Sequence, residues 1–164
     1  MGVRLEIAQP LPGAVFGATV RLVAGGEPFV AAAEETPGKA VTVLYIEDNP
    51  ANFRLVERIL KHRPGVRLLS ALQGHLGLDL ARMHHPDVIF LDIHLPDFRG
   101  DEVLRYLQDD ARTRDIPVIV LSADATPHQA ERILAAGAKR YLAKPFHVNE
   151  FFEILDETLN KGGR

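Results

Sequence analysis

Short apolar runs alternate with helical periodicity from residue 39 towards the C-terminus. Val41–Ile46 is rich in β-branched residues and predicts a first strand, after which Phe53, Val56 and Leu60 recur at the spacing of one helix face. The same alternation predicts further strands and helices at Val66–Ala71, Leu76–Met83, Val88–Leu91, Val103–Leu107, Ile116–Leu121, around Ile133 and Leu134, Lys139–Leu142 and Val148–Leu159. Successive βα units of this kind predict a parallel sheet covered by helices on both faces, because parallel strands are joined by right-handed crossovers.

Polar residues at two helix starts support these boundaries. Asn49 followed by Pro50 predicts an N-cap and the first residue of the first helix. Thr126, with Gln129 at the spacing of a capping box, predicts the start of the fourth helix in the same way.

The first part of the chain has a different pattern. Residues 3–7 and 16–22 alternate apolar with polar positions on either side of a Pro- and Gly-containing turn at 10–13, which predicts a β-hairpin. Residues 31–38 have the composition of a linker. We therefore expect three parts: a hairpin-like extension and linker at 1–38, an α/β domain at 39–160, and a flexible tail at 161–164.

Composition narrows the class of protein. The chain has 164 residues, 46% of them apolar, no cysteine, and 19 basic against 22 acidic residues, which gives a net charge of −3. The lack of cysteine excludes thiol catalysis and zinc–thiolate sites, and the balanced charge argues against a surface that coats nucleic acid. No apolar run approaches the roughly 20 residues that cross a bilayer, and the N-terminus lacks the core of a signal peptide. We expect a cytoplasmic protein with no membrane segment.

Charged and hydroxyl side chains follow four of the predicted strands. Glu47 and Asp48 come after the first strand, Asp92 after the third, Ser122 after the fourth and Lys144 after the fifth. The carboxyl ends of parallel strands meet at one edge of the sheet, so we expect these side chains to converge. Clustered carboxylates repel one another unless a cation neutralises them, and Mg²⁺ is the ion that such oxygen ligands suit. The ion, hydroxyl and ammonium together would stabilise a phosphoryl group on a carboxylate.

Residues 41–160 resemble the receiver domain of two-component response regulators. The resemblance rests on Glu47-Asp48, the stretch from Asp92 to Gly100, Leu121-Ser122-Ala123, and Lys144-Pro145-Phe146, which occur in that family's order. It implies an α/β fold of the flavodoxin-like (βα)5 type, with a five-stranded parallel sheet in the order 2-1-3-4-5 and helices on both faces. It also implies that the bond between Lys144 and Pro145 is cis.

The resemblance implies that Asp92 accepts a phosphoryl group from a histidine kinase or a phosphotransfer protein. Mg²⁺, or Mn²⁺ in its place, would be bound by Asp48, Asp92 and the backbone carbonyl of His94, with Glu47 acting through a coordinated water. These four residues form the expected metal site.

The same resemblance assigns roles around the phosphoryl group. Ser122 and the amide of Ala123 would contact phosphoryl oxygens, and Lys144 would pair with one of them. Tyr141 lies at the position of the family's aromatic switch, for which an ordinary edge-strand tyrosine is an equal alternative.

His94 and Asp124 lie two residues after Asp92 and Ser122, respectively. The family's geometry places their side chains near one another at the mouth of the site. We hypothesise that a contact between them hinders the attacking water and so sets the phosphate lifetime. Two solvated loop side chains are the alternative.

The sequence favours a phosphorelay module over three rivals. The chain would catalyse only its own phosphorylation and dephosphorylation, and is not expected to be an enzyme with an external substrate. A phosphatase of the haloacid-dehalogenase type carries a second acid two positions after its nucleophile, where this chain has His94. A flavin-binding protein would need a phosphate loop after the first strand, where Glu47 and Asp48 would repel phosphate. A receiver that only docks is the third rival, against which the complete set of acids, hydroxyl and lysine argues.

Residues 13–22 are similar to the final strands of a histidine-kinase ATP-binding domain, so the receiver portion of a hybrid histidine kinase stays open as an alternative. The boxes that hold ATP are absent, and the chain is not expected to be a kinase by itself. An unrelated extension that pairs with a second copy, giving a homodimer, is the rival interpretation. We expect signalling to a protein partner at the surface formed by the fourth helix, fifth strand and fifth helix, and no contact with nucleic acid.

Overall fold

Strands and helices alternate along residues 40–161, which are the part of the chain that the computed structural model describes. The elements are β1 (Val41–Ile46), α1 (Pro50–Leu60), β2 (Val66–Ala71), α2 (Gly74–His84), β3 (Val88–Asp92), α3 (Gly100–Asp109), β4 (Val118–Ser122), α4 (Pro127–Ala135), β5 (Arg140–Ala143) and α5 (Val148–Lys161). The strands are parallel and lie in the order β2-β1-β3-β4-β5. The predicted fold class is confirmed. The predicted hairpin and linker at 1–38 and the tail residues 162–164 lie outside the described residues.

The sheet separates two apolar cores. Every residue of β3 and β4 is buried, because helices cover these central strands on both sides. One core lies under α1 and α5, where the ring of Phe90 stacks on that of Phe151 at 4.5 Å between centroids. The other core lies under α2, α3 and α4. No helix among residues 40–161 has both the length and the apolar content to cross a bilayer.

Three strands, β3, β4 and β5, end one residue later than the apolar pattern predicts, and β5 is shifted as a whole from the predicted 139–142 to Arg140–Ala143. Asp92 is the last residue of β3 and Ser122 is the last residue of β4, so both belong to the ladder rather than to the loops after it. β4 also begins at Val118 instead of Ile116, because Pro117 has no amide hydrogen to contribute to the ladder. Asp92 and Ser122 are therefore held by the rigid centre of the sheet.

The start of α2 is fixed by a residue far along the chain. The helix begins at Gly74, two residues before the predicted start at Leu76. The carboxylate of Asp97 accepts hydrogen bonds from the amides of Gly74 at 2.8 Å and His75 at 2.9 Å. These amides have no partner within the helix, so the Asp97 side chain supplies the missing acceptors. The loop after β3 is thereby attached to α2.

The two predicted caps have different outcomes. The Oδ1 atom of Asn49 accepts a hydrogen bond from the amide of Ala51 at 2.9 Å, which confirms the predicted N-cap of α1. Thr126 is the N-cap residue of α4, but its side chain makes no capping hydrogen bond, so the predicted capping box is wrong. The side chain of Thr126 bonds to Asp124 and not to the helix amides.

Candidate functional site

Four strands bring charged and hydroxyl side chains to one edge of the sheet. Glu47 directly follows β1, Asp92 and Ser122 end β3 and β4, and Lys144 directly follows β5. Glu47, Asp92 and Ser122 are buried, at 2%, 5% and 0% exposure, whereas Asp48 is exposed. Buried acids require compensating partners, because the interior solvates charge poorly. The arrangement of those partners defines the site.

Lys144 is the shared partner of two of these acids. Its Nζ atom lies 2.6 Å from Oε2 of Glu47 and 2.5 Å from Oδ2 of Asp92. The backbone holds Lys144 in place, because its amide donates to the carbonyl of Ser122 at 2.7 Å. The peptide bond from Lys144 to Pro145 is cis, as the resemblance to receiver domains implies. One ammonium thus bridges two buried carboxylates.

The two carboxyl groups respond differently to this shared cation. Burial raises the pKa of Asp92, and the hydrogen bonds from Lys144 and the amide of His94 offset this only in part. Burial also opposes ionisation of Glu47, but hydrogen bonds from Lys144, Asn49 and Tyr45 outweigh it and lower its pKa. Burial works against the charge of Lys144, yet both acids together raise its pKa. Asp92 is therefore the acid whose charge is less fully compensated.

Glu47 has further partners on both carboxylate oxygens. Tyr45, which is buried in β1, donates its hydroxyl to Oε2 at 2.9 Å, and the amide of Asn49 donates to Oε1 at 3.1 Å. Sequence reasoning missed Tyr45. The signal was available, because residues two apart in a strand lie on the same face, which places Tyr45 below Glu47. Burial, followed by the charge of Glu47, raises the pKa of Tyr45 well above its usual value. The phenol therefore remains a neutral donor.

A tight loop follows Asp92. The amide of His94 donates to Oδ1 of Asp92 at 2.7 Å, and the exposed His94 ring lies 4.0 Å from the same oxygen. Gly100 closes the loop by donating its amide to the carbonyl of Ile93 at 2.8 Å. A Cβ atom on Gly100 would lie 2.6 Å from Cα of Ile93 and 2.7 Å from the carbonyl oxygen of Asp92. Only glycine allows this approach of the two backbones.

The loop after β4 is organised around Asp124. Its amide donates to Oγ of Ser122 at 3.0 Å, and the hydroxyl of Tyr141 donates to its carbonyl. The amide of Thr126 donates to Oδ1 of Asp124, which lowers the pKa of this carboxyl, and the charge of His94 lowers it further. His94 and Asp124 are thus within electrostatic range of one another. Ala123, between Ser122 and Asp124, is exposed.

The acids of this edge fit a hard divalent cation. Glu47, Asp48 and Asp92 each offer one carboxylate oxygen, and these atoms lie within 4.8 Å of one another. Carboxylate oxygens at such spacing are the ligands that Mg²⁺ and Mn²⁺ prefer. The carbonyl of His94 stays a prediction as a further ligand, as do the roles of Ser122, Ala123 and Tyr141.

Comparisons with known proteins agree with this geometry. The family model described as the response regulator receiver domain matches residues 43–156. The polar-differentiation response regulator DivK of Brucella ovis is 39% identical over 118 residues, which covers 72% of this chain and 95% of the relative.

Two solved structures are also similar. A receiver domain of a sensor histidine kinase from Pseudomonas aeruginosa PAO1, with a magnesium ion coordinated in its active-site cleft, is 31% identical at a TM-score of 0.68. The match covers 74% of this chain and 98% of that domain. The signal receiver domain of a signal transduction histidine kinase from Syntrophus aciditrophicus is 26% identical at a TM-score of 0.70, and the match covers 76% and 94% of the two chains.

Proposed function

The chain belongs to the family of response regulator receiver domains, and we propose that it accepts a phosphoryl group on Asp92 from a histidine kinase or a phosphotransfer protein. The observation that supports this most is the ammonium of Lys144 between Glu47 and Asp92, at the edge where Asp48 also lies. A buried acid beside a cation and further metal-binding acids suits a reaction that brings negative charge onto a carboxylate.

The transfer step needs few groups from the protein. A carboxylate oxygen of Asp92 attacks the phosphorus of a phosphohistidine, the P–N bond breaks, and the imidazole nitrogen keeps that electron pair. Hydrolysis later removes the phosphoryl group: water attacks phosphorus, the bond from phosphorus to the Asp92 oxygen breaks, and the carboxylate keeps that electron pair. Inorganic phosphate leaves with both hydrogens of the water. Catalysis of both steps is mainly positioning and charge stabilisation.

Asp48, Asp92 and the carbonyl of His94 bind Mg²⁺ or Mn²⁺ in this proposal, and Glu47 holds a coordinated water. The ion supplies charge neutralisation for the phosphoryl oxygens. The magnesium ion in the active-site cleft of the Pseudomonas receiver domain supports Mg²⁺ as the ion.

The remaining side chains bind the phosphoryl group or change position in response to it. Lys144 turns from the carboxylates to a phosphoryl oxygen, while the Ser122 hydroxyl and the Ala123 amide donate to the others. A shift of Ser122 moves the loop whose Asp124 carbonyl accepts the hydroxyl of Tyr141, which makes Tyr141 the switch residue. The altered surface of α4, β5 and α5 then binds a protein partner.

The chain acts in the cytoplasm in this proposal and turns over no substrate other than its own phosphoryl group.

A second candidate is the receiver portion of a hybrid histidine kinase, which the two similar receiver domains of histidine kinases support. Light scattering on the full chain separates a monomer from a homodimer paired through the extension.

Intact-mass measurement after incubation with acetyl phosphate and Mg²⁺ tests the proposed function. We expect an adduct of one phosphoryl group that hydroxylamine removes, because acyl phosphates react with hydroxylamine. Asp92→Asn abolishes the adduct, whereas Asp109→Asn, which alters an exposed acid of α3, retains it. Absence of the adduct with both acetyl phosphate and phosphoramidate would favour a receiver that only docks.

A further inference from the structure

Tyr45 places a phenol hydroxyl inside the charged edge of the sheet. The side chain is 1% exposed and belongs to the core under α1 and α5, yet its hydroxyl reaches Oε2 of Glu47 at 2.9 Å. The same oxygen receives the ammonium of Lys144, and Oε1 receives the amide of Asn49. Both oxygens of Glu47 therefore have fixed donors, and the carboxylate is held in one orientation.

The two donors on Oε2 of Glu47 differ in what becomes of them during phosphorylation. Lys144 is shared with Asp92, so a phosphoryl group on Asp92 draws the ammonium away from Glu47. Tyr45 cannot follow, because its ring is packed in the core and a phenol in strand β1 has no freedom to swing. Tyr45 is also neutral, so it adds no charge that would repel a cation.

We propose that Tyr45 is a positioning residue of the metal site, whose hydroxyl orients Glu47, and with it the coordinated water that Glu47 holds, both before phosphorylation and when Lys144 moves to the phosphoryl group. This inference rests on the proposed function, since it requires that the acids bind a cation. Groups that orient a metal ligand from behind typically change metal affinity by about 10- to 100-fold when removed. Tyr45 acts only through Glu47 and touches neither the ion nor the phosphoryl group.

Metal binding by the Tyr45→Phe variant tests the inference without any phosphorylation. Mn²⁺ affinity is read from the electron paramagnetic resonance signal of the free ion, and Mg²⁺ affinity from competition with Mn²⁺. We expect Tyr45→Phe to bind both ions about tenfold more weakly than the unaltered protein. Tyr106→Phe, which removes the hydroxyl of a partly exposed tyrosine on α3, is the matched control and keeps full affinity.

A double-mutant cycle separates positioning from a general effect on the fold. In a Glu47→Ala background, Tyr45→Phe should cause no further loss of Mn²⁺ affinity, because the residue through which it acts is gone. Tyr45→Met, which fills the core without a hydroxyl, is the second variant and should show the same loss if Tyr45→Phe does not fold.

The outcomes distinguish the two proposals. Unchanged or tighter Mn²⁺ binding in Tyr45→Phe, or an equal loss in the Glu47→Ala background, overturns the role of Tyr45 and leaves the proposed function standing. Absence of Mn²⁺ and Mg²⁺ binding by the unaltered protein overturns both.

Discussion

The Nζ atom of Lys144 lies 2.5 Å from Oδ2 of Asp92, so the proposed phosphoacceptor is already bonded to the cation that would later hold the phosphoryl group. In the unphosphorylated protein, this ammonium supplies the positive charge that balances the buried carboxylate of Asp92. Phosphorylation then exchanges one anionic partner of Lys144 for another. This relationship makes Lys144 important for stability as well as for chemistry.

Lys144→Ala should destabilise the protein by on the order of 3 kcal/mol at pH 7, because it leaves Glu47 and Asp92 buried without their shared cation. Both carboxyl groups would then have a pKa above the unfolded value, so the folded variant takes up protons and its loss of stability shrinks as the pH falls towards about 4, the pKa of the unfolded acids. Urea unfolding in the presence of a chelator measures the loss of unfolding free energy and its dependence on pH. Lys139→Ala, at an exposed lysine, is the control. A deficit that is independent of pH would contradict this account.

Asp97→Ala should destabilise the protein by about 1 kcal/mol near neutral pH, through loss of the acceptor for the first amides of α2. Burial is the largest single influence and opposes the charge of Asp97, but the hydrogen bonds from His75 and Gly74 together outweigh it and hold the pKa of this carboxyl below its usual range. A carboxyl group whose pKa is lower in the folded than in the unfolded state stabilises the fold at pH values above its unfolded pKa. The difference between variant and unaltered protein should therefore narrow below about pH 4.

Urea unfolding across a pH series measures this difference, with Asp109→Ala as the exposed control on α3. A difference that stays constant down to acid pH would show that Asp97 stabilises α2 without its charge.

The sequence predicted the fold well because strand order and burial follow from local apolar patterns. Val41–Ile46 and Val66–Ala71 have the predicted bounds, and the residues at the strand ends converge because parallel topology requires it. The start of α2 could not be predicted, because its acceptor, Asp97, lies 23 positions beyond Gly74. A local pattern contains no information about a partner at that distance.

The acids, the hydroxyl and the lysine of the candidate site were predicted from the sequence, but Tyr45 and the hydrogen bonds among these groups were not. Glu47, Asp92 and Lys144 could be grouped from their strands, whereas the sharing of one ammonium depends on side-chain positions that no spacing specifies. Tyr45 was overlooked because a tyrosine in a strand is usually core, and here it is both core and donor.

His94→Ala and Asp124→Ala should each shorten the lifetime of the phosphorylated protein by about threefold to tenfold, a barrier change on the order of 1 kcal/mol. The reason is the hypothesis that these two side chains, which lie within electrostatic range of one another, hinder the attacking water. Loss of the phosphoryl adduct is timed by intact mass. His128→Ala, at an exposed histidine of α4, should leave the rate unchanged. Unchanged rates in both site variants would refute the hypothesis.

Gly100→Ala should destabilise the protein by about 1–3 kcal/mol and weaken Mg²⁺ binding, because the new Cβ atom would force apart the backbones of Asp92 and Ile93. This loss of stability is opposite in sign to the gain that usually results when alanine replaces glycine in a helix. Urea unfolding and competition with Mn²⁺ measure the two effects. Gln108→Ala, near the end of the same helix, should leave metal affinity intact. Normal metal affinity in Gly100→Ala would show that the loop tolerates the displacement.

The 97 positions between Glu47 and Lys144 have a consequence for the order in which the protein is made. Glu47 follows β1 and Asp92 ends β3, so both acids leave the ribosome long before the lysine that neutralises them, and a nascent chain that ends before β5 carries two carboxylates without that cation. Packing β3 against β1 is then penalised until the last strand arrives. The final βα unit brings Lys144, whose positive charge neutralises the two acids. This favours a single cooperative folding step over stepwise folding from the N-terminal side.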